Sequence, residues 1–302
     1  MREYLAAQFR SVYERLLRRE ISGVPQHVAI IQDGNRRYAR KQGEDATDGH
    51  EAGAETTQHV LEWCSELGIE ELTVYAFSTE NFKRPPEERD HLFDLLTEKL
   101  YEFADNEQIH EERVQVRAIG ETHRLPDRVQ EAIAYAERRT ADYDRFVLNV
   151  AVAYGGRAEL LNATREVAEA VEAGDLDPES VDAETVEARL YDGDVRDVDL
   201  IVRTGGDERT SNFLPWHANG NEAAAFFCTP YWPEFSKIDF LRAIRTYESR
   251  EASWRRTRAQ RALTLVRSLG DEVREARRVL ERFRDSLPEP APEIEETEPP
   301  AD

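Results

Sequence analysis

The chain has 302 residues, long enough to bury a full core, and its 62 acidic against 40 basic residues leave a formal charge of −22. That balance excludes general nucleic-acid binding, which needs a basic surface. Only Lys41, Lys83, Lys99 and Lys237 are lysine, and an acidic, lysine-poor surface suits a salt-rich cytoplasm, where molar salt shortens the Debye length to about 3 Å and screens self-repulsion.

At the N-terminus there is no signal-peptide core, and no run of the chain approaches 18 apolar residues, so a cytoplasmic protein is expected. Residues 1–22 carry Leu5, Phe9, Val12 and Leu16 at helical spacing with arginines mostly off that stripe. This predicts an amphipathic helix that packs on the domain or on a second subunit, or else lies on a membrane surface. From residue 23 to 250, β-rich runs at 27–31, 71–77, 113–119, 145–154, 198–204 and 223–228 alternate with helical stretches. Continuous apolar strands joined by helices predict an α/β domain with a six-stranded, mostly parallel sheet flanked by helices. Residues 251–285 read as a helical extension. The proline- and glutamate-rich segment 286–302 reads as a disordered tail. Cys64 and Cys228 show no metal or disulfide spacing and read as core residues.

In such folds ligands bind at the carboxyl ends of the strands, and three strand ends carry polar clusters. The first is Asp33-Gly34-Asn35-Arg36-Arg37. Glycine allows close approach to the backbone, and the helix start and arginines favour an anion. Asp33 would repel that anion unless a divalent metal such as Mg²⁺ sits between carboxylate and phosphate. A tight turn with surface arginines accounts for the same residues without a ligand. The second cluster runs from Ser78 through Thr79, Glu80, Asn81, Phe82 and Lys83 to Arg84, Pro85 and Pro86; the prolines fit a helix start. The third, Arg203-Thr204-Gly205-Gly206-Asp207-Glu208-Arg209-Thr210-Ser211-Asn212, suits a second phosphate held by guanidinium, hydroxyl and backbone N–H groups. Two arginine-and-glycine sites on one sheet edge point to two phosphorylated substrates. GxxxxGK[ST], GxGxxG and GxSxG patterns are all absent, which argues against P-loop, dinucleotide and serine-hydrolase chemistry.

HVAIIQDGNRRYARKQG, GHEAG, YAFSTENFKRP, LNVAVAYGGRAEL and RTGGDERTSNFLPW, in this order, resemble the cis-prenyltransferases of the undecaprenyl diphosphate synthase family over roughly residues 27–250. The resemblance implies a homodimer and Mg²⁺-dependent condensation of isopentenyl diphosphate onto an allylic diphosphate with new Z double bonds. It implies that Asp33 binds Mg²⁺ as the main catalytic carboxylate, with Glu222 as second metal ligand. Gly34, Asn35, Arg36, Arg37 and His50 would hold the allylic diphosphate, while Arg203, Arg209, Thr210 and Ser211 would hold isopentenyl diphosphate. Tyr38, Ser78, Thr79, Glu80, Phe82 and Arg84 match substrate-binding positions. Asn81 matches the position assigned to proton removal, although an amide is a poor base and is expected to position a phosphate or water instead. Apolar residues of the helices at 50–67 and 89–104, such as Leu92, Phe93, Leu95, Leu96, Leu100 and Phe103, together with Ala76, either line a product channel or are core.

Three departures stand out. Ala46 occupies the place of a phosphate-binding arginine, which would leave Arg37, Arg40 or Lys41 to replace it; Asp207 stands where glutamate is usual; and no Arg-x-Gly follows Arg250, although Trp254-Arg255-Arg256 is a basic substitute. The YERLLRREI and NRRY forms resemble archaeal members. This favours geranylgeranyl diphosphate as primer, farnesyl diphosphate next, and a product of roughly undecaprenyl length, with peripheral membrane contact for its release. A non-catalytic scaffold subunit is the alternative reading.

Overall fold

The computed structural model describes residues 2–190, 196–218 and 223–253. Two compact units divide the chain, Met1–Arg250 and Glu251–Asp302, and the sheet lies wholly in the first. The expected tail at 286–302, the extension beyond residue 253 and Trp254-Arg255-Arg256 lie outside the described residues, as does Glu222.

All six β-rich runs form strands: β1 (His27–Ile31), β2 (Glu71–Ser78), β3 (Val114–Ile119), β4 (Phe146–Tyr154), β5 (Leu200–Arg203) and β6 (Ala224–Phe227). They make one parallel sheet in the order β3-β4-β2-β1-β5-β6. The helices are α1 (Arg2–Glu20), α2 (Asn35–Gln42), α3 (Ala46–Leu67), α4 (Pro86–Asp105), α5 (Glu107–Glu111), α6 (Asp127–Thr140), α7 (Gly156–Ala173) and α8 (Ala183–Glu187). Residues 237–253 are also helical. The five-residue α5 and α8 are too short to produce a legible apolar period.

β1 is buried along its whole length, and alternate residues serve opposite faces, as the two-residue period of a strand dictates. Val28 and Ile30 join an apolar cluster with Val60, Leu92 and Phe93; Ala29 and Ile31 join another with Tyr154, Phe213 and Leu214. Each fully buried valine or isoleucine stabilises the fold by roughly 1.5–3 kcal/mol. Of α1, Leu17 is buried, whereas Val12 and Leu16 of the expected stripe are about half exposed. The helix is held from its polar side as well, through Arg18–Glu66 and Arg245–Glu20 ion pairs.

Two glycines of the GHEAG motif set how closely α3 approaches α2. A Cβ on Gly49 would lie 2.3 Å from the backbone oxygen of Asn35, and one on Gly53 would lie 2.7 Å from the Asn35 side chain. The Gly53 carbonyl accepts a 2.7 Å hydrogen bond from the buried indole of Trp232. Among the described residues no helix is long and apolar enough to cross a membrane.

Candidate active site

The three polar clusters follow β2, β1 and β5, which are adjacent in the sheet. The chain leaves β1 toward β2 on one side, while β5 lies on the other, so a crevice opens between the outgoing connections. Asp33 stands at its centre. Its backbone N–H and carbonyl are both tied to Thr204 Oγ1, at 3.1 and 2.7 Å, which fixes the end of β1 to the end of β5. Gly34 follows at φ 109°, a left-handed conformation that also keeps the backbone against the Tyr231 ring: a Cβ there would fall 2.7 Å from that ring.

Two arginines share the Asp33 carboxylate. Arg203 Nη2 donates to Oδ2 at 2.7 Å and Arg37 Nη2 to Oδ1 at 2.9 Å. Burial pushes the Asp33 pKa up, but the hydrogen bonds from Arg203 and Arg37 outweigh it and hold the carboxyl below its ordinary range. Arg203 is buried and also binds the 209–211 turn, donating to the Ser211 hydroxyl and, at 2.6 Å, to the Arg209 carbonyl. Among the described residues its buried Nε has no hydrogen-bond partner. Ser211 and Asn212 adopt φ 48° and 59°, a strained conformation retained because Arg203 grips one side and the N–H groups of Gly156 and Arg157 bind Asn212 on the other. Gly205, at φ 83°, accepts from Arg37 Nη1 at 2.9 Å; a Cβ there would meet Arg37 Nη2 at 2.6 Å.

After β2 a register shift between Tyr75 and Ser78 ends the regular pairing with β4. Asn81 Oδ1 accepts from both the N–H and the hydroxyl of Ser78, at 2.7 and 3.0 Å. Arg84 pairs with Glu88 on the first turns of α4, and Glu88 also lies 3.6 Å from His50 Nε2 and 3.8 Å from Arg36 Nη1. Burial, and then the neighbouring Arg84 charge, push the His50 pKa down to about 4, so the imidazole is neutral near pH 7.

Two cavities, about 510 and 350 Å³, open here. Gln32, Asp33, Arg36, Arg84 and Arg209 line both. The larger one adds Lys83 and Arg203, and the smaller adds Arg37 and Arg40. Together they present seven cations against the carboxylates of Asp33, Glu80 and Asp207, in a chain whose formal charge is −22. Such concentrated positive charge on an acidic protein suits two polyanionic groups. A bigger cavity of about 830 Å³ at the β3 edge is lined by Glu121, Glu137, Glu159, Glu166 and Glu169 against Arg117, Arg165 and Arg189, a balance that disfavours anions.

A family model described as "Putative undecaprenyl diphosphate synthase" matches residues 31–255. The chain belongs to the undecaprenyl diphosphate synthase family of cis-prenyltransferases. It is 70% identical over 285 residues to a tritrans,polycis-undecaprenyl-diphosphate synthase (geranylgeranyl-diphosphate specific) of Halobacterium salinarum, spanning 94% of both chains. A protein of the same description from Haloarcula marismortui is 66% identical, with 92% of each chain covered. Among solved structures, lavandulyl diphosphate synthase from Lavandula x intermedia, in complex with dimethylallyl diphosphate, matches with TM-score 0.69 and 35% identity over 74% of this chain and 95% of that one. A Campylobacter jejuni protein described as a probable undecaprenyl diphosphate synthase matches with TM-score 0.60 and 33% identity over 75% and 96%.

In this cis-prenyltransferase Asp33, Gly34, Asn35, Arg36, Arg37, His50, Ser78, Thr79, Glu80, Asn81, Arg84, Arg203, Arg209 and Ser211 line the two cavities. Tyr38, Phe82 and Thr210 line neither. Phe82 packs edge-on against Phe77 at 5.1 Å, beneath the Arg124 guanidinium at 4.6 Å. Of the three candidates to replace an arginine at Ala46, Arg37 and Arg40 face the smaller cavity, whereas Lys41 is held 2.8 Å from Glu234. Glu88 and Tyr231 carried no signal in the sequence. Glu88 reads as an ordinary first-turn acid of α4, and Tyr231, far from Asp33 along the chain, belongs to no motif that composition could flag.

Proposed function

We propose that the chain joins isopentenyl diphosphate, repeatedly and with Z geometry, to geranylgeranyl diphosphate, giving a polyprenyl diphosphate of roughly undecaprenyl length. The paired cavities around Asp33 carry this reading, supported by relatives whose names specify geranylgeranyl diphosphate. The smaller cavity would take the allylic diphosphate on Gly34, Asn35, Arg36, Arg37, Arg40 and His50, and the larger would take isopentenyl diphosphate on Arg203, Arg209 and Ser211. Each condensation forms a carbon–carbon bond between allylic C1 and isopentenyl C4, breaks the allylic C1–O bond and releases a proton from isopentenyl C2. Arg36, Arg37 and Arg84 would stabilise the charge that gathers on the departing diphosphate.

The residues fit Mg²⁺: an ionised carboxylate at Asp33 beside a cation-lined anion pocket matches the usual preference of this ion for one or two carboxylates plus phosphate oxygens. Asp33 would hold it, with Glu222 as the second carboxylate, and the ion would neutralise diphosphate charge. Asn81 acts as a positioning group, because its Oδ1 is already occupied by Ser78. Leu92, Phe93, Leu96, Leu100, Phe103 and Ala76 belong to one apolar cluster beside the site, along which a growing chain would extend. A homodimer is expected from the family, and the exposed Val12, Tyr13 and Leu16 of α1 offer a surface for a subunit or for peripheral membrane contact.

The test supplies purified protein in molar KCl with Mg²⁺, labelled isopentenyl diphosphate, and geranylgeranyl or farnesyl diphosphate in turn. Long butanol-soluble products, made faster from geranylgeranyl diphosphate and lost in Asp33→Ala, are expected. No product with either primer would overturn the reading in favour of a scaffold subunit.

A further inference from the structure

At the opposite end of the sheet from the crevice, the α8–β5 and β5–β6 connections meet. Glu187 ends α8, Asp197 precedes β5, and His217 precedes β6. One ligand-type atom from each of the three lies within 4.8 Å of the others. His217 is 1% exposed, while both carboxylates reach solvent. Among the described residues no lysine or arginine pairs with Glu187.

We propose that Glu187, Asp197 and His217 form a second divalent-cation site, distinct from the Asp33 centre, that takes a borderline ion such as Zn²⁺ or Mn²⁺. An imidazole nitrogen with two carboxylate oxygens suits such ions, whereas Mg²⁺ prefers an all-oxygen shell with several waters. Ligands about 2.1 Å from a tetrahedral zinc lie roughly 3.4 Å apart, so the two exposed carboxylates need to draw inward only modestly. Water supplies the fourth position. The ion serves as a clamp: it ties α8 and the entry to β5 to the β5–β6 connection, whose other end carries Asp207, Arg209 and Ser211.

Full-length protein, stripped with a chelator, is dialysed in molar KCl with millimolar Mg²⁺ against micromolar Zn²⁺, and bound metal is counted by mass spectrometry. One equivalent per chain is expected, with affinity at least tenfold weaker in Glu187→Gln and in Asp197→Asn but unchanged in Asp33→Asn. Both surface variants are isosteric and leave the buried His217 in place. Co²⁺ substitution should add an absorption band that the two variants lose, and Zn²⁺ should raise the native melting temperature beyond the effect of Mg²⁺. Substoichiometric Zn²⁺, or uptake equal in native protein and both variants, would overturn the site.

Discussion

Replacing Arg203 with lysine keeps the charge and removes the fork. In the native site one guanidinium reaches Asp33 Oδ2 at 2.7 Å and the Arg209 carbonyl at 2.6 Å, and also the Ser211 hydroxyl. A lysine ammonium is a single point with three donors, so it can hold Asp33 or the 209–211 turn, but not both. Hydrogen bonds that involve a charged group contribute about 1.5–3 kcal/mol each. Losing the turn contacts while keeping the Asp33 pair therefore costs about 3 kcal/mol, or roughly a hundredfold at 1.4 kcal/mol per tenfold. Steady-state incorporation of labelled isopentenyl diphosphate, at saturating geranylgeranyl diphosphate, should show kcat/KM for isopentenyl diphosphate falling by about that factor. The primer KM should move far less. A variant that melts normally and keeps kcat/KM within threefold of native would refute the claim that this guanidinium organises the isopentenyl site.

Other outcomes follow from the same geometry. Arg37→Gln removes one of the two arginines that hold the Asp33 carboxyl low against the effect of burial, so the ionised form should be lost at a higher pH; the acid limb of kcat/KM should move upward, and an unmoved limb would contradict the pairing. Because the His50 pKa is pushed down to about 4, His50→Gln should weaken primer binding without removing any inflection near pH 6.5 from kcat/KM of the free enzyme. Gly49→Ala would drive a Cβ to 2.3 Å from the Asn35 backbone oxygen, overpacking that costs about 1–3 kcal/mol; differential scanning calorimetry should show a melting temperature lower by several degrees. Melting temperature should also rise with KCl, since the formal charge is −22; a flat or falling response would remove the argument from composition.

The six strands and the long helices were legible because parallel strands buried on both faces read as unbroken apolar runs, and α3, α4, α6 and α7 are long enough to show their period. Asp33, Arg37, Arg203 and Ser211 were legible because glycine and arginine at strand ends are chemically conspicuous. Three features were not. The exposure of Val12 and Leu16 depends on which turn of α1 meets the domain, and Leu17 makes that contact. The diversion of Lys41 depends on Glu234, far along the chain. The place of Glu88 among Arg36, His50 and Arg84 arises only when α2, α3 and α4 meet.

The most direct measurement is a crystal soaked with Mg²⁺, a non-reactive thio analogue of geranylgeranyl diphosphate and isopentenyl diphosphate. One diphosphate should lie on Gly34–Arg37 and the other on Arg203, Arg209 and Ser211, with the metal on the Asp33 carboxylate. Both ligands bound away from these cavities, with the Asp33–Arg37–Arg203 cluster unchanged, would contradict catalysis at Asp33.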